Sequence, residues 1–218
     1  MKLLELFCGT KSVGKCCTEL EYDSVSVDFD KKFNPTHLCD ILEWDYKQYD
    51  KNYFDIVWAS PDCTEYSKLQ NSWLGRKKKG EIFTREIMEN NMIKSDKLIL
   101  KTLEIINYFN PSLWFIENPQ TGKLKDREIM KNIPFYDVDY CMYSDWGYKK
   151  RTRIWTNKKD WNNLLCNKKC GNIFNNVHKI NLGGHGCEKT QSGISLKDKY
   201  RIPNDLIKSL ILNEKKSN

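Results

Sequence analysis

Cys63 stands in the run Ser60-Pro61-Asp62-Cys63-Thr64-Glu65-Tyr66-Ser67, directly after Phe54-Asp55-Ile56-Val57-Trp58-Ala59. The latter stretch is strongly β-prone and Pro61 forbids continued ladder pairing, so the thiol follows the carboxyl end of a buried strand. A sulfur so placed faces a crevice instead of the core, where a nucleophile belongs. A second polar strand tip, Glu117-Asn118-Pro119, follows Leu113-Trp114-Phe115-Ile116. Gly9 and Thr10 open a turn after Leu3-Leu4-Glu5-Leu6-Phe7, and Asp28 closes the next β-like run, Ser24-Val25-Ser26-Val27. A carboxylate about twenty residues beyond such a turn can accept hydrogen bonds from both hydroxyls of an adenosyl ribose, and Asp40 could meet the adenine edge. Singly these signals are weak. Glycines after a strand occur in proteins with quite different ligands or none, and a lone acid at a strand end is commonly a solvated turn residue.

Those residues need a frame that brings strand ends together. The first strand, its glycine turn (9–14) and a helical stretch through Leu20 form a βα unit. A second alternation runs from Asp28 through a helix-or-loop segment containing Pro35 to Cys39-Asp40-Ile41. From Thr84 to Phe109 there is no Gly or Pro, and Ile99, Leu100, Leu103, Ile106 and Tyr108 recur at helical spacing until Pro111 closes the element. Repeated alternation predicts an α/β fold, a mainly parallel sheet flanked by helices, with ligands beyond the carboxyl ends of the strands. We divide the chain into a catalytic domain (1–156), a small irregular insert rich in Asn, Lys, Gly and Cys (157–193), and a closing helix that returns to the domain (194–218).

With 218 residues the chain can bury one core and a small appendage. No apolar run approaches the roughly 20 residues that cross a bilayer, and the amino terminus lacks a signal peptide's apolar stretch, so a soluble, intracellular, monomeric protein is expected. Nine cysteines, an odd number spread through the chain, read as reduced thiols. The net charge of +7 fits an anionic partner such as nucleic acid, although a compositional bias toward Lys, Asn and Ile would raise it equally.

In their order, these segments resemble the motifs of the DNA (cytosine-5)-methyltransferases. Leu4-Glu5-Leu6-Phe7-Cys8-Gly9 is similar to the family's Asp-Leu-Phe-Ala-Gly opening, and Asp28 and Asp40-Ile41 match its second and third motifs. Pro61-Asp62-Cys63 resembles its Pro-Cys loop, Glu117-Asn118-Pro119 its Glu-Asn-Val signature, and Lys149-Lys150-Arg151-Thr152-Arg153 its Gln-x-Arg-x-Arg stretch. Ser192 to Ile211 resembles the final helix motif, so the likeness spans nearly the whole chain. It implies a Rossmann-like fold and S-adenosylmethionine held by Phe7, Cys8, Gly9, Thr10, Asp28, Phe29, Asp40, Ile41 and Pro61. It implies that Cys63 attacks carbon 6 of cytosine, that Glu117 holds and protonates the base at nitrogen 3, and that Arg153 contacts the base's carbonyl oxygen and helps hold the thiolate. Arg151 would be a second positive group, with a structural ion pair as its equal alternative. Because the reacting atoms lie inside a duplex, the base must be flipped out of the DNA. The loop after Cys63, with Ser67, Arg76, Lys77, Lys78 and Lys79, would fill the gap and meet phosphates; a solvated basic loop is the plainer account.

The chain departs from the family in four places. Asp62 replaces a usual proline or other neutral residue, Lys149 stands where glutamine is usual, and the opening motif lacks a double glycine. The target-recognition region is reduced to the insert, a compact form that resembles methylases of phages and large DNA viruses, for which host cytoplasm or nucleus is the expected location. Asp62 and Glu65 flank the thiol and disfavour its thiolate, so a cation such as Arg153 must compensate. No metal is assigned to the catalytic centre. Cys166, Cys170, His178, His185 and Cys187 could supply four ligands to a structural zinc, while ordinary loop thiols and solvent histidines are the simpler account; Cys8, Cys16, Cys17, Cys39 and Cys141 read as core or helix thiols. Two further readings are an RNA cytosine-5 methyltransferase and an inactive DNA-binding homologue. The second would predict loss of the nucleophile, the acid or the arginine, all of which are present.

Overall fold

The computed structural model describes residues 1–182 and 195–212. Four parallel strands, β1 (Lys2–Leu6), β2 (Asp23–Asp28), β3 (His37–Leu38) and β4 (Ile56–Ala59), form one side of a seven-stranded sheet. A separate short hairpin of β5 (Lys77–Lys78) and β6 (Glu81–Ile82) follows in the chain. The sheet then resumes with β7 (Leu113–Pro119), β8 (Phe135–Asp139) and β9 (Arg151–Thr156), in the order β3-β2-β1-β4-β7-β9-β8. β9 runs antiparallel between β7 and β8, while β7 pairs in parallel with β4. A last hairpin, β10 (Ile173–Phe174) and β11 (Val177–His178), stands apart from the sheet.

Successive strand residues point to opposite faces. Leu3, Ile56, Trp58, Phe115 and Ile154 go to one face, where α1 (Ser12–Glu19) contributes Val13, Cys16 and Cys17. The short α3 (Leu196–Tyr200) leads to α4 (Asn204–Ile211), which adds Leu206, Ile207 and Leu210 to that face. Leu4, Leu6, Val57, Ala59 and Ile116 go to the other face, beneath α2 (Arg85–Phe109) with Met88, Met92, Ile99, Ile105, Ile106 and Phe109. Thr84 caps α2 by accepting the Ile87 N–H (3.2 Å). The strands therefore read as continuous apolar runs because both sides are covered. No helix among the described residues is long and apolar enough to cross a membrane.

The helix-or-loop segment is a loop, and the single closing helix is corrected. The second alternation has no α-helix: 3-10 turns at Lys31–Phe33 and Tyr46–Gln48 flank the two-residue β3. Rings cover the sheet where this loop runs, with Trp44, Tyr46 and Phe54 buried and Phe54 set edge-on to Phe109 at 4.9 Å. The closing segment is two helices, because the chain between Tyr200 and Asn204 is extended and Pro203 caps α4 from outside.

Glu5 is buried under the first turn of α1, where its carboxylate accepts the N–H groups of Val13 (3.2 Å) and Gly14 (3.0 Å). The residue at 14 must be small, since a β-carbon there would lie 2.8 Å from Glu5 Oε2. Burial raises the Glu5 pKa from the usual 4.5 to about 7, against the two N–H donors. The folded protein thus holds a proton that the unfolded chain has released, and stability falls as pH rises through that window. Between pH 5 and 8 the loss from this group is roughly 2 to 3 kcal/mol. Urea unfolding at both pH values should show a shallower decline for Glu5→Gln than for the wild type; equal slopes would remove Glu5 as the source.

Candidate active site

The loop carrying Cys63 is held from three sides. Asp62 Oδ1 accepts the Thr64 N–H (3.0 Å) and hydroxyl (2.7 Å), which turns the chain just after the strand. Asn118 at the tip of β7 donates from Nδ2 to the Pro61 carbonyl (2.9 Å), and the Lys123 N–H donates to the Tyr66 carbonyl (2.8 Å). Tyr66 is fully buried and donates to Asp96 of α2 (2.9 Å). Cys63 itself is half-buried. Burial pushes its thiol up to about 11, Asp62 and Glu117 add to the rise, and Lys150 opposes it.

Glu117 is buried on the next strand, facing the side of Ile154 with which it is registered. Tyr140 donates from its hydroxyl to Glu117 Oε1 (2.9 Å), and Lys150 Nζ lies 3.6 Å from the same oxygen. The ammonium sits 4.8 Å from the centre of the Tyr140 ring and donates to the Lys199 carbonyl in α3 (3.1 Å). Tyr148 Oη donates to the Asp198 carbonyl (3.0 Å), so the closing helices fix the turn that carries Lys150. Lys150 is thus the cation shared by the thiol and the acid.

Arg151 takes the structural ion pair that was its alternative, whereas Arg153 is placed differently from expectation. Alternation along β9 sends Arg151 and Arg153 away from the face that holds Ile154 and Glu117. Arg153 forms a paired contact with Asp137 of β8 (2.7 and 2.9 Å) and lies 3.5 Å over the Phe135 ring. Arg151 does the same with Asp139 (2.9 and 2.7 Å). The structure does not bring either guanidinium to Cys63; Lys150 supplies that charge.

The ends of β1 and β2 form the second half of the site. The backbone turns left-handed at Phe7 (φ 55°) and Gly9 (φ 46°). Asp28, buried, accepts the Gly9 N–H (3.0 Å) on one oxygen and the Asp30 N–H (2.9 Å) on the other, which locks the two strand ends together. Beside it Phe29 is 76% exposed, while Asp40 is exposed and Ile41 buried. Phe7 is half-buried, Thr10 Oγ1 lies 3.0 Å from Ser12 Oγ, and burial pushes the Cys8 thiol up to about 12. Pro61 is buried where the strand order turns back, β2 lying on one side of β1 and β4 on the other. An uncovered ring beside carboxylates at this reversal fits an adenosyl group.

The loop beyond Cys63 is partly internal. Ser67 caps the 3-10 segment Lys68–Trp73 by accepting the Leu69 N–H (3.3 Å). Arg76, Lys77 and Lys79 are exposed and make no ion pair among the described residues, whereas Lys78 turns inward, donating to Gln70 Oε1 (2.5 Å) and lying 4.4 Å over Phe83. Composition drew no attention to Leu69 and Trp73, which stand 77% and 44% exposed on the same loop.

No family model matches the chain. A curated protein of Frog virus 3 (isolate Goorha), described as "Probable DNA (cytosine-5)-methyltransferase", is 38% identical over 224 aligned positions, covering 97% of this chain and 99% of the relative. The chain belongs to the DNA (cytosine-5)-methyltransferase family. Among solved structures, S. pombe Dnmt2 methyltransferase aligns at 13% identity and TM-score 0.45 over 72% of this chain and 48% of that one. Entamoeba histolytica methyltransferase EhMeth aligns at 15% identity and TM-score 0.49 over 76% and 55%. The chain spans about half the length of these solved structures.

In this methyltransferase the two charged departures from the family pattern have different consequences. Lys149 Nζ lies 3.3 Å from Asp139 Oδ2, beside Arg151, and so adds charge to β8 rather than to the thiol. Asp62 both builds the loop and raises the thiol. Sequence reasoning missed Lys150 and Tyr140. Neither lies in a stretch whose strand register could be read beforehand, and no spacing links either residue to Glu117.

Proposed function

We propose that this enzyme methylates carbon 5 of cytosine in DNA through a transient bond between Cys63 and carbon 6. The observation that carries the reading is the shared environment of Cys63, Glu117 and Lys150 at the ends of adjacent strands. S-adenosylmethionine, bound against Phe7, Gly9, Asp28, Phe29, Asp40 and Ile41, supplies an electrophilic methyl group. The Cys63 thiol loses its proton beside Lys150 and the sulfur adds to carbon 6. Glu117 places a proton on nitrogen 3, so the electron pair of the 5,6 double bond comes to reside at carbon 5 as an enamine. After carbon 5 is methylated, a base takes the carbon 5 proton, the 5,6 double bond re-forms, the thiolate leaves and the nitrogen 3 proton returns to Glu117. Exposed Leu69 and Trp73 fit the space of the flipped base, and Arg76, Lys77 and Lys79 fit phosphates.

The test uses duplex DNA containing 5-fluorocytosine, since fluorine at carbon 5 blocks release of the thiol. With S-adenosylmethionine the wild type should give a protein-DNA adduct that survives denaturation, and Cys63→Ser should give none. No adduct on DNA alongside an adduct on 5-fluorocytosine RNA would transfer the proposal to RNA, and an undiminished adduct in Cys63→Ser would dismiss the thiol.

A further inference from the structure

The short hairpin of the insert has a reason to be ordered that its own core cannot provide. Cys166 and Cys170 are separated by three residues, and His178 is brought back to them by β10 and β11. The turn between those strands places Asn175 (φ 49°) and Asn176 (φ 63°) in the left-handed region, the geometry of a tight two-residue hairpin loop. The fourth group is Cys141, in the 3-10 turn that follows β8, outside the insert and 25 positions before Cys166. Cys141 is therefore not merely a core thiol, as its sequence surroundings suggested. His185 and Cys187, the other ligands considered from sequence, lie outside the described residues.

We propose that Cys141, Cys166, Cys170 and His178 form a tetrahedral structural zinc site. Their donor atoms all lie within 4.8 Å of one another. Cys166 Sγ and Cys170 Sγ are 3.6 and 3.5 Å from His178 Nε2, and 3.5 Å from each other. Tetrahedral zinc with ordinary bond lengths requires about 3.6 Å between sulfur and nitrogen and about 3.8 Å between sulfurs. Three thiols and one imidazole are a preferred zinc set and leave no open position for substrate. The surrounding groups are already arranged to orient the ligands. The Lys168 N–H donates to Cys166 Sγ (3.3 Å), and buried Asn172 donates to the carbonyls of Cys141 (3.0 Å) and Ser144 (2.8 Å).

The site joins the insert to the catalytic sheet. The Cys166 N–H donates to Asp139 Oδ2 (2.7 Å), the carboxylate that engages Arg151, and Cys141 directly follows Tyr140, which holds Glu117. The metal thus takes the place of a hydrophobic core in a segment too small to build one.

Purified full-length protein should contain one equivalent of zinc by elemental analysis, and the chelated protein should bind one equivalent of Co²⁺ with thiolate charge-transfer and tetrahedral ligand-field bands. Cys141→Ser and His178→Ala should each fall below about 0.2 equivalents of zinc. The double variant His185→Ala/Cys187→Ser should keep the full equivalent. Because Cys141 is buried and its replacement puts folding at risk, the Co²⁺ spectrum of the wild type stands as an independent test, with an intensity expected for three thiolates. No zinc in the wild type together with no cobalt bands would overturn the site. Retention of a full equivalent by a folded Cys141→Ser, or its loss from the double variant, would overturn the ligand set.

Discussion

Cys63→Ala should transfer methyl groups to DNA at least about 10,000-fold more slowly than the wild type, while binding duplex DNA with little change. Carbon 5 of cytosine becomes a nucleophile only when carbon 6 carries an added group, so losing the sulfur removes the path and not merely its positioning. A factor of 10,000 corresponds to about 5.5 kcal/mol of barrier, a size consistent with removal of a covalent step. The loop should keep its shape because its fastening contacts avoid the thiol: Thr64 on Asp62, Asn118 on the Pro61 carbonyl and Lys123 on the Tyr66 carbonyl. Nor does the change strand a buried charge, since the half-buried thiol is held protonated by burial, Asp62 and Glu117. Single-turnover kinetics with labelled S-adenosylmethionine and fluorescence anisotropy with duplex DNA separate the two effects. A residual rate within 100-fold of the wild type would mean that another group activates the base.

The parts of this molecule that sequence could reveal are those written in local pattern. Leu3 to Phe7, Ile56 to Ala59 and Leu113 to Ile116 are largely apolar runs ended by turn or proline signals, and each falls on a strand with parallel neighbours, the first closing at Leu6. The 25-residue α2 is equally local, being an uninterrupted helical period between a threonine cap and Asn110 in the left-handed conformation. What failed was whatever depends on which strand lies beside which. Arg151 and Arg153 are in the right segment, but their face is set by the antiparallel insertion of β9 between β7 and β8, where Asp137 and Asp139 meet them. Lys150 reaches Glu117 because Lys199, far along the chain, offers it a carbonyl. Cys141 joins Cys166, Cys170 and His178 through a turn that no cysteine spacing within the insert contains. In each case the informative contact is long-range, and a single sequence carries no register for it.

Lys150→Met should lower the methylation rate at pH 7.5 by about 100- to 1,000-fold, with a smaller deficit at higher pH. The argument rests on the sign of the charges at the thiol. Burial, Asp62 and Glu117 favour the protonated form of Cys63, whose pKa stands at about 11, and Lys150 is the group working against them. Removing the ammonium raises the thiol further, so at a fixed neutral pH the reactive thiolate becomes rarer and the ascending limb of the pH-rate profile moves to more alkaline pH. Methionine keeps the apolar stem against Tyr140 while deleting the charge, and Lys150→Arg, which retains it, should recover part of the rate. A purely structural role would look different, because losing the bond to the Lys199 carbonyl costs about 1 kcal/mol of stability but leaves the thiol's titration alone. Iodoacetamide alkylation of Cys63, followed by peptide mass analysis across pH, reads that titration directly. An alkylation profile in Lys150→Met that coincides with the wild type would show that the ammonium does not sustain the thiolate, and the cation for Cys63 would then have to be sought in Arg151 or Arg153, released from Asp139 or Asp137 when DNA binds.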